Sequence, residues 1–350
     1  MLTSIIPVVL TVAADIRSHL QEHGWAVTRV VDEPSALQMR SQILDELAMY
    51  PDEIPRTLGG MIKTHNMCMS RTAHEIRKLA RPVFFDILRD AYDAFLVFPR
   101  PEQESDLSCN PDALFVSTGE PARFPRGVDI QDSLWWHVDT EQRTGFLQGS
   151  FVLDNPEGSE EFAVLDGSHH HFDELEITDH GTDFHLLTHE ERTRLSEICQ
   201  PLSLRVPPGC LVVWYSATVH TVRPPNPALY TRPRVQTYVC FGTTMHLDAE
   251  YIRDVTLTKA LAVLLAGSCR HHPYPCEVTW QRGLEGATRD FLPVNELIPW
   301  IFGSRPTDFT DEELSVYGLS RASVLDAVDY WSTHWNRKMQ QYTRFITNQE

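Results

Sequence analysis

Hydrophobic and polar positions along this chain change rhythm twice. Near the N-terminus the apolar residues recur at helical spacing. Ile16 and Leu20 share one face of a segment that Thr11 would cap and Gly24 would stop, and Trp25-Ala-Val-Thr-Arg-Val-Val31 reads as the strand that follows. Two more helices are expected, from Ser35 to Met49 and from Thr72 to Tyr92. The second would open on the capping pair Thr72 and Glu75 and be split by Pro82. From Asp112 to Gly242 the rhythm shortens to apolar runs divided by Gly, Pro, Asn and Asp, the pattern of an antiparallel jelly-roll barrel. After Gly242 helical spacing returns, around Val255 to Leu265 and from Arg321 to Phe345. Ser320 is placed to cap the last helix, and Val324, Val328, Trp331, Trp335 and Tyr342 stripe one side of it. Such a stripe is ordinarily core packing; the sharper reading is a homodimer seam.

One strand of the middle region carries chemistry. In Leu134-Trp-Trp-His-Val-Asp139, strand alternation puts Trp135, His137 and Asp139 on one face and Leu134, Trp136 and Val138 on the other. An H-x-D pair alone is a weak signal, because matches of three ordinary residues arise often by chance. A polar solvated face would not carry Trp135, however, and a second imidazole follows. Pro207-Pro-Gly209 turns the chain into the strand Cys210-Leu-Val-Val-Trp-Tyr215, and His220 lies just beyond. Two neutral imidazoles and one carboxylate, with coordination positions left open, form the ligand set that suits non-haem Fe(II) oxygenases. In Arg234-Val-Gln-Thr-Tyr-Val-Cys-Phe241, Arg234, Gln236 and Tyr238 share a face. A fixed guanidinium inside a barrel calls for an anion.

These residues, with Phe151-Val-Leu-Asp154 and Glu161-Phe-Ala-Val-Leu-Asp-Gly-Ser-His169, resemble the phytanoyl-CoA dioxygenase-like branch of the Fe(II)- and 2-oxoglutarate-dependent oxygenases. The resemblance spans roughly residues 110 to 245, with Phe162 standing where the family usually has Leu. It implies a mainly β fold with flanking helices, built on a double-stranded β-helix (jelly-roll, cupin-like) core. It also implies Fe(II) held by His137, Asp139 and His220, with 2-oxoglutarate and O2 as co-substrates. Arg234 would pair with the far carboxylate of 2-oxoglutarate, and Arg232 is the reserve candidate because it shares the strand face. Gln148 is a weaker guess for a second polar contact, against the plainer reading of a surface side chain.

Composition sets limits on partners. The chain of 350 residues, 42% hydrophobic and 10% aromatic, can bury a large core. The expected division is a barrel with N-terminal helices over 1–247 and a helical extension packed on it over 248–350. A net charge of −18 repels phosphate backbones and anionic lipid, which disfavours nucleic-acid and membrane partners and fits a small-molecule or side-chain substrate. Seven scattered cysteines without a C-x-x-C argue for reduced thiols and a cytoplasmic location. Zinc at Cys269-Arg-His-His-Pro-Tyr-Pro-Cys276 is a minor alternative, since the spacing matches no standard finger. The apolar run from Ile5 to Ala14 lacks the basic leader of a secretory signal, and no stretch reaches the 18 or so apolar residues of a membrane span.

The remaining histidines read more plainly. His169-His-His171 cannot all face one ion, so His169 is taken as structural, and His180, His185 and His189 as solvated residues of a polar insertion. That insertion, Phe172 to Gln200, is too polar for a central strand and is the candidate lid. Two functions stay open: an Fe(II)/2-oxoglutarate dioxygenase that hydroxylates or otherwise oxidises its substrate, and a catalytically silent jelly-roll that binds a ligand or partner.

Overall fold

A computed structural model describes residues 2–48, 71–90, 100–109, 114–116, 134–139, 147–177, 184–243, 253, 255–257, 259–260, 310–327 and 329. In chain order the elements are β1 (Thr3–Ile5), α1 (Ala13–His23), β2 (Trp25–Arg29), α2 (Glu33–Ala48), α3 (Arg71–Leu88), β3 (Leu107–Cys109), β4 (Leu114–Val116), β5 (His137–Val138) and β6 (Leu147–Asp154). They continue with β7 (Glu161–Leu165), β8 (His185–Leu186), α4 (His189–Ile198), β9 (Pro201–Leu204), β10 (Cys210–Tyr215), β11 (His220–Arg223), β12 (Val235–Thr243) and α5 (Asp311–Ser315).

The barrel is a hairpin rolled upon itself. Antiparallel pairs nest from the inside outward: β7 with β9, β6 with β10, β5 with β11, and β4 with β12. Alternate pairs lie in opposite sheets, one ordered β2-β10-β6-β12-β3 with β4 also on β12, the other β1-β9-β7-β11-β5-β8. This nesting is the jelly-roll, or double-stranded β-helix, expected from the short apolar runs.

Period-two alternation divides the apolar side chains into three layers. Val152, Phe162, Val164, Leu204, Val212 and Trp214 fill the barrel interior between the sheets. Phe151, Leu153, Leu211, Val213, Val239 and Phe241 point out of the first sheet and meet Ile16, Leu20, Ile76, Ala80 and Phe84 of α1 and α3. Trp136, Val138, Ala163, Leu165 and Val219 point out of the second sheet onto Leu175, Leu195 and Cys199. Residues 260, 314, 316, 317, 319, 324 and 327 belong to the helix-side layer, so these parts of the C-terminal region share the core of the barrel. Tyr317 meets His74 Nδ1 through its hydroxyl at 3.0 Å, and its carbonyl accepts from Ser108 Oγ at 3.2 Å. Val328, Trp331, Trp335 and Tyr342 of the expected stripe, and the Cys269–Cys276 segment, lie outside the described residues.

Several local expectations are corrected. The N-cap of α1 is Val12, with no side-chain cap, and Thr11 lies outside the helix. Thr72 sits inside α3, where its N–H and hydroxyl donate to Glu46 Oε1 of α2 at 3.2 and 2.7 Å; it ties two helices together instead of capping one. Pro82 does not split α3. Its ring is exposed, so the hydrogen bond it removes lies on the solvent side while Ala80 and Phe84 keep the buried face packed. The insertion from Phe172 to Gln200 is not a free lid in its described part. Residues 185–186 form an edge strand on β5, and α4 buries Leu195 beneath the second sheet.

Gly24 ends α1 in the left-handed region, at φ 80°, with its N–H on the Leu20 carbonyl. A Cβ there would lie 2.5 Å from His169 Nδ1 and 2.6 Å from Thr218 Oγ1. Strain and crowding together should make Gly24→Ala destabilising by at least about 1–3 kcal/mol. Thermal denaturation checks this, and a midpoint equal to that of the wild type would contradict it.

Candidate metal centre

The site is assembled by two strands that start side by side. His137 opens β5, His220 opens β11, and the two residues are cross-strand partners. Asp139 follows β5, with its N–H on the Ser216 carbonyl at 3.1 Å. All three side chains are buried.

Backbone carbonyls fix both imidazoles. His137 Nδ1 lies 3.0 Å from the Trp135 carbonyl, and His220 Nδ1 lies 2.9 Å from the Thr218 carbonyl. A carbonyl only accepts, so each Nδ1 donates, and each ring in its neutral form turns the lone pair of Nε2 the other way. Both lone pairs point toward Asp139: His137 Nε2 is 3.4 Å from Oδ1 and His220 Nε2 is 3.3 Å from Oδ2. One ligand atom from each residue falls within 4.8 Å of the others. Acceptors facing acceptors repel, and a cation held between them would turn that repulsion into coordination. The indole of Trp135 stacks on the His137 ring, centroids 3.9 Å apart and planes 6° from parallel, while Phe184 meets both rings edge-on.

The other expected site residues separate into two places. Arg234 is fully buried. Its Nη1 donates to the Glu160 carbonyl at 3.3 Å, its Nη2 donates to Gln236 Oε1, and its guanidinium carbon sits 5.4 Å from the Phe115 ring centroid. Burial holds this guanidinium below the ordinary arginine range, although it stays protonated at neutral pH. Arg232 is instead half exposed at the end of the barrel, gripping Asp154 through Nε at 2.7 Å and Nη2 at 3.2 Å. Asp154 also faces Arg40 Nε at 3.0 Å, so its charge is committed to two surface-side cations.

Gln148 is buried, which overturns its reading as a surface side chain. Its Nε2 donates to Asp139 Oδ2 at 2.8 Å. Four buried polar atoms, Gln148 Oε1, Ser150 Oγ, Trp214 Nε1 and Arg234 Nε, find no hydrogen-bond partner among the described residues. Gln148 and Ser150 alternate with the outward-facing Phe151 on β6, and Trp214 pairs with Gln148 across β10, which sets them on the face of the barrel interior.

His185 was expected to be solvated, and the structure corrects this. It is buried on β8 opposite Val138, with Nε2 at 3.2 Å from both oxygens of Glu191. Glu191 also accepts from Thr188 N, Thr188 Oγ1 and Glu176 N, closing the capping box of α4. The signal was in the sequence as Thr188-x-x-Glu191; that His185 would meet it was not. His189 is exposed, and His180 lies outside the described residues. His169 is buried at the end of α1 with Nε2 on the Gln21 carbonyl at 3.1 Å, a structural place away from the triad.

No family model matches the chain, and no curated protein does either. Among solved structures, GlcNAc Inducible Gene 2 of Candida albicans aligns over 100% of this chain and 89% of its own, at 12% identity and a TM-score of 0.50. The two share a fold. EctD from S. alaskensis, solved with 2-oxoglutarate and 5-hydroxyectoine, aligns over 69% of this chain and 83% of its own, at 14% identity and a TM-score of 0.44. The epimerase SnoN, solved with Fe3+, alpha ketoglutarate and nogalamycin RO, aligns over 66% and 83%, at 15% identity and a TM-score of 0.41. Among the described residues no helix is long and apolar enough to cross a membrane.

The Glu191 cluster carries a pH dependence. Burial alone would raise this carboxyl, but the Thr188 and Glu176 donors outweigh it and hold it below its ordinary value of 4.5. A depressed folded value means that the ionised form stabilises the fold above about pH 4.5 and that this stability is lost as pH falls through the folded value. Glu191→Gln should therefore lower the thermal midpoint by about 2–4 °C at neutral pH. That difference should shrink as the pH drops below 4.5; a difference that is constant or grows on acidification would contradict the assignment.

Proposed function

We propose that the chain is an Fe(II)- and 2-oxoglutarate-dependent dioxygenase that oxidises a small molecule or an exposed side chain. The observation that carries the reading is the convergence of His137 Nε2, His220 Nε2 and an Asp139 oxygen within 4.8 Å, with both Nδ1 atoms turned to backbone carbonyls. Two neutral imidazoles and one carboxylate fit Fe(II) and leave coordination positions for a chelating co-substrate and O2. The co-substrate has a matching surface. A 2-keto acid with a second carboxylate needs acceptor and donor groups along its length and a cation at its far end. The unpartnered Ser150 Oγ, Trp214 Nε1 and Arg234 Nε supply such groups on buried, inward-facing positions.

When bound, Fe(II) couples the oxidative decarboxylation of 2-oxoglutarate to succinate with oxidation of the second substrate. The protein's own part is positional. His137, Asp139 and His220 hold the ion, their tautomers set in advance by the Trp135 and Thr218 carbonyls. The Nε of Arg234 finds no hydrogen-bond partner among the described residues and can donate to the far carboxylate, whereas Arg232 is engaged by Asp154, which is why Arg234 and not Arg232 is assigned this role. Trp135, Trp214 and Phe162 exclude water from the imidazole side, strengthening each charge interaction there. Asp139 occupies the ligand position that a halide would need, which favours hydroxylation over halogenation. The barrel over 1–247 and the extension over 248–350 are read as one unit, supported by Leu314, Tyr317 and Val324 in the helix-side core.

Anaerobic Fe(II) titration followed by addition of 2-oxoglutarate and O2 should yield bound iron and succinate. Alanine at His137, Asp139 or His220 should abolish turnover and lower metal affinity. Iron binding without any succinate from the wild type would favour the silent binding protein.

Arg234→Ala should weaken 2-oxoglutarate by roughly 30-fold or more, the scale of removing one partner of a buried charge pair. Iron should remain bound, and Arg232→Ala should leave the co-substrate affinity near wild type. The charge-transfer band of the Fe(II)–2-oxoglutarate complex reads both variants, and a larger loss from Arg232→Ala would reverse the assignment.

A further inference from the structure

We propose that the C-terminal end of α1 carries a second divalent-metal site, in which His19 and His23 bind a borderline cation such as Zn(II) and Glu22 completes the set. The residues lie outside the candidate metal centre, and the proposal does not rest on that reading.

His19 and His23 are four residues apart, so the helix sets them one turn apart on the same face. Both are half-buried, and their ring centroids are 4.2 Å apart with planes tilted by 37°. The Trp25 indole meets the His19 ring at a right angle, centroids 4.9 Å apart.

His23 is oriented from behind. Its Nδ1 lies 3.1 and 3.0 Å from the two oxygens of Asp166, just past β7. A carboxylate only accepts, so Nδ1 donates, and the ring in its neutral form turns the lone pair of Nε2 away from Asp166. A carboxylate behind an imidazole is a usual partner of a histidine that binds metal. Asp166 is itself fixed: Trp25 Nε1 donates to its Oδ1 at 2.7 Å, and its own N–H donates to the Gln200 carbonyl at 2.9 Å. The N–H of Gly167 on the His23 carbonyl, also at 2.9 Å, ties the turn to the helix end.

His19 supplies the second donor. Neither of its ring nitrogens has a hydrogen-bond partner among the described residues. Burial first and the neighbouring His23 second hold it below the ordinary value of 6.5, so at neutral pH the ring is uncharged and offers a lone pair. Glu22 Oε2 is 3.8 Å from His23 Nε2, on a side chain 78% exposed and therefore able to turn. Unlike the triad, these three donors do not already stand within 4.8 Å of one another, so binding draws the Glu22 chain inward. The last carbonyls of the helix, with Glu22 and Asp166, favour a cation at this end. Imidazoles and a carboxylate suit Zn(II). A histidine that merely anchored α1 to the turn would need only the bond to Asp166; the unpartnered imidazole beside it is what such a role leaves over.

The test is calorimetric titration of the full chain with Zn(II), made in a His137→Ala/His220→Ala background so that the candidate metal centre does not contribute. This background should bind one equivalent of Zn(II) that His19→Gln and His23→Gln each remove. Glutamine keeps both positions polar, and at position 23 its amide can still donate to Asp166, so α1 keeps its attachment. The same loss of one equivalent is expected from the two substitutions in the otherwise wild-type chain, which serves if the background does not fold. Asp166→Asn should keep the stoichiometry and weaken Zn(II) by about 10- to 100-fold, the usual loss when the partner of a metal-binding histidine is changed. Either glutamine variant with unchanged Zn(II) stoichiometry and affinity would overturn the proposal, as would a folded background that binds no Zn(II). Failure of the wild-type chain to bind Fe(II) would count against the proposed function alone, and the two failures are distinguishable.

Discussion

The site depends on one cross-strand pair. His137 and His220 stand opposite each other on β5 and β11, and the register of that pair decides which face of the second sheet each candidate ligand occupies. Because side chains alternate with a period of two, a slip of one residue would send His137 and Asp139 outward and bring Trp136 and Val138 into the barrel. The outer layer resists such a slip: Trp136 and Val138 already pack on Leu175, Leu195 and Cys199. The apolar partners of the intervening positions thus hold the candidate ligands in place. On the other edge of β5, pairing of His137 with Leu186 and of Val138 with His185 fixes the strand again. A two-residue strand has little stability of its own, so it needs neighbours on both edges.

How much of this was legible in the sequence depends on the range of the interaction. Strand parity around His137, the turn before Cys210 and the stop at Gly24 are encoded within a few residues, and those features stand where local pattern put them. Thr11, Thr72 and Pro82 misled because each signal is local while the winning interaction is not. Thr72 finds the Glu46 carboxylate on another helix, and Pro82 is tolerated because the buried face of α3 supplies packing that a lost hydrogen bond on the solvent side does not cancel. His185 and Gln148 illustrate the same limit within the site. His185 lies in the polar insertion and Gln148 in a largely apolar strand, and each meets a partner, Glu191 or Asp139, that only the folded chain brings near.

The two neighbouring arginines show how charge is apportioned. Arg232 and Arg234 share a strand face in the sequence, yet one is neutralised at the barrel end by Asp154 while the other is carried fully inside. The hydrogen-bond partners of Arg234 are neutral oxygens, a carbonyl and an amide, while the buried carboxylates of Glu160 and Glu161 act on it through space. Moving an ion out of water is costly, and neutral acceptors recover only part of that cost. In a low-dielectric interior a guanidinium so placed would attract an anion more strongly than the solvated Arg232.

The polar lining between Arg234 and the triad follows from the outer packing of the same strand. On β6 the outward positions are Leu147, Gly149, Phe151 and Leu153, and the inward ones begin with Gln148 and Ser150. A Cβ at Gly149 would come to 3.0 Å from the Phe84 ring of α3 and 3.0 Å from the Val239 carbonyl, so the helix lies close over this part of the sheet. That close approach leaves β6 little freedom to rotate about its axis. Gln148 and Ser150 are therefore kept pointing inward by apolar contacts made on the opposite face, where neither residue takes part. The buried polar atoms are costly in the absence of a ligand, and the helix packing outside the barrel is what offsets them.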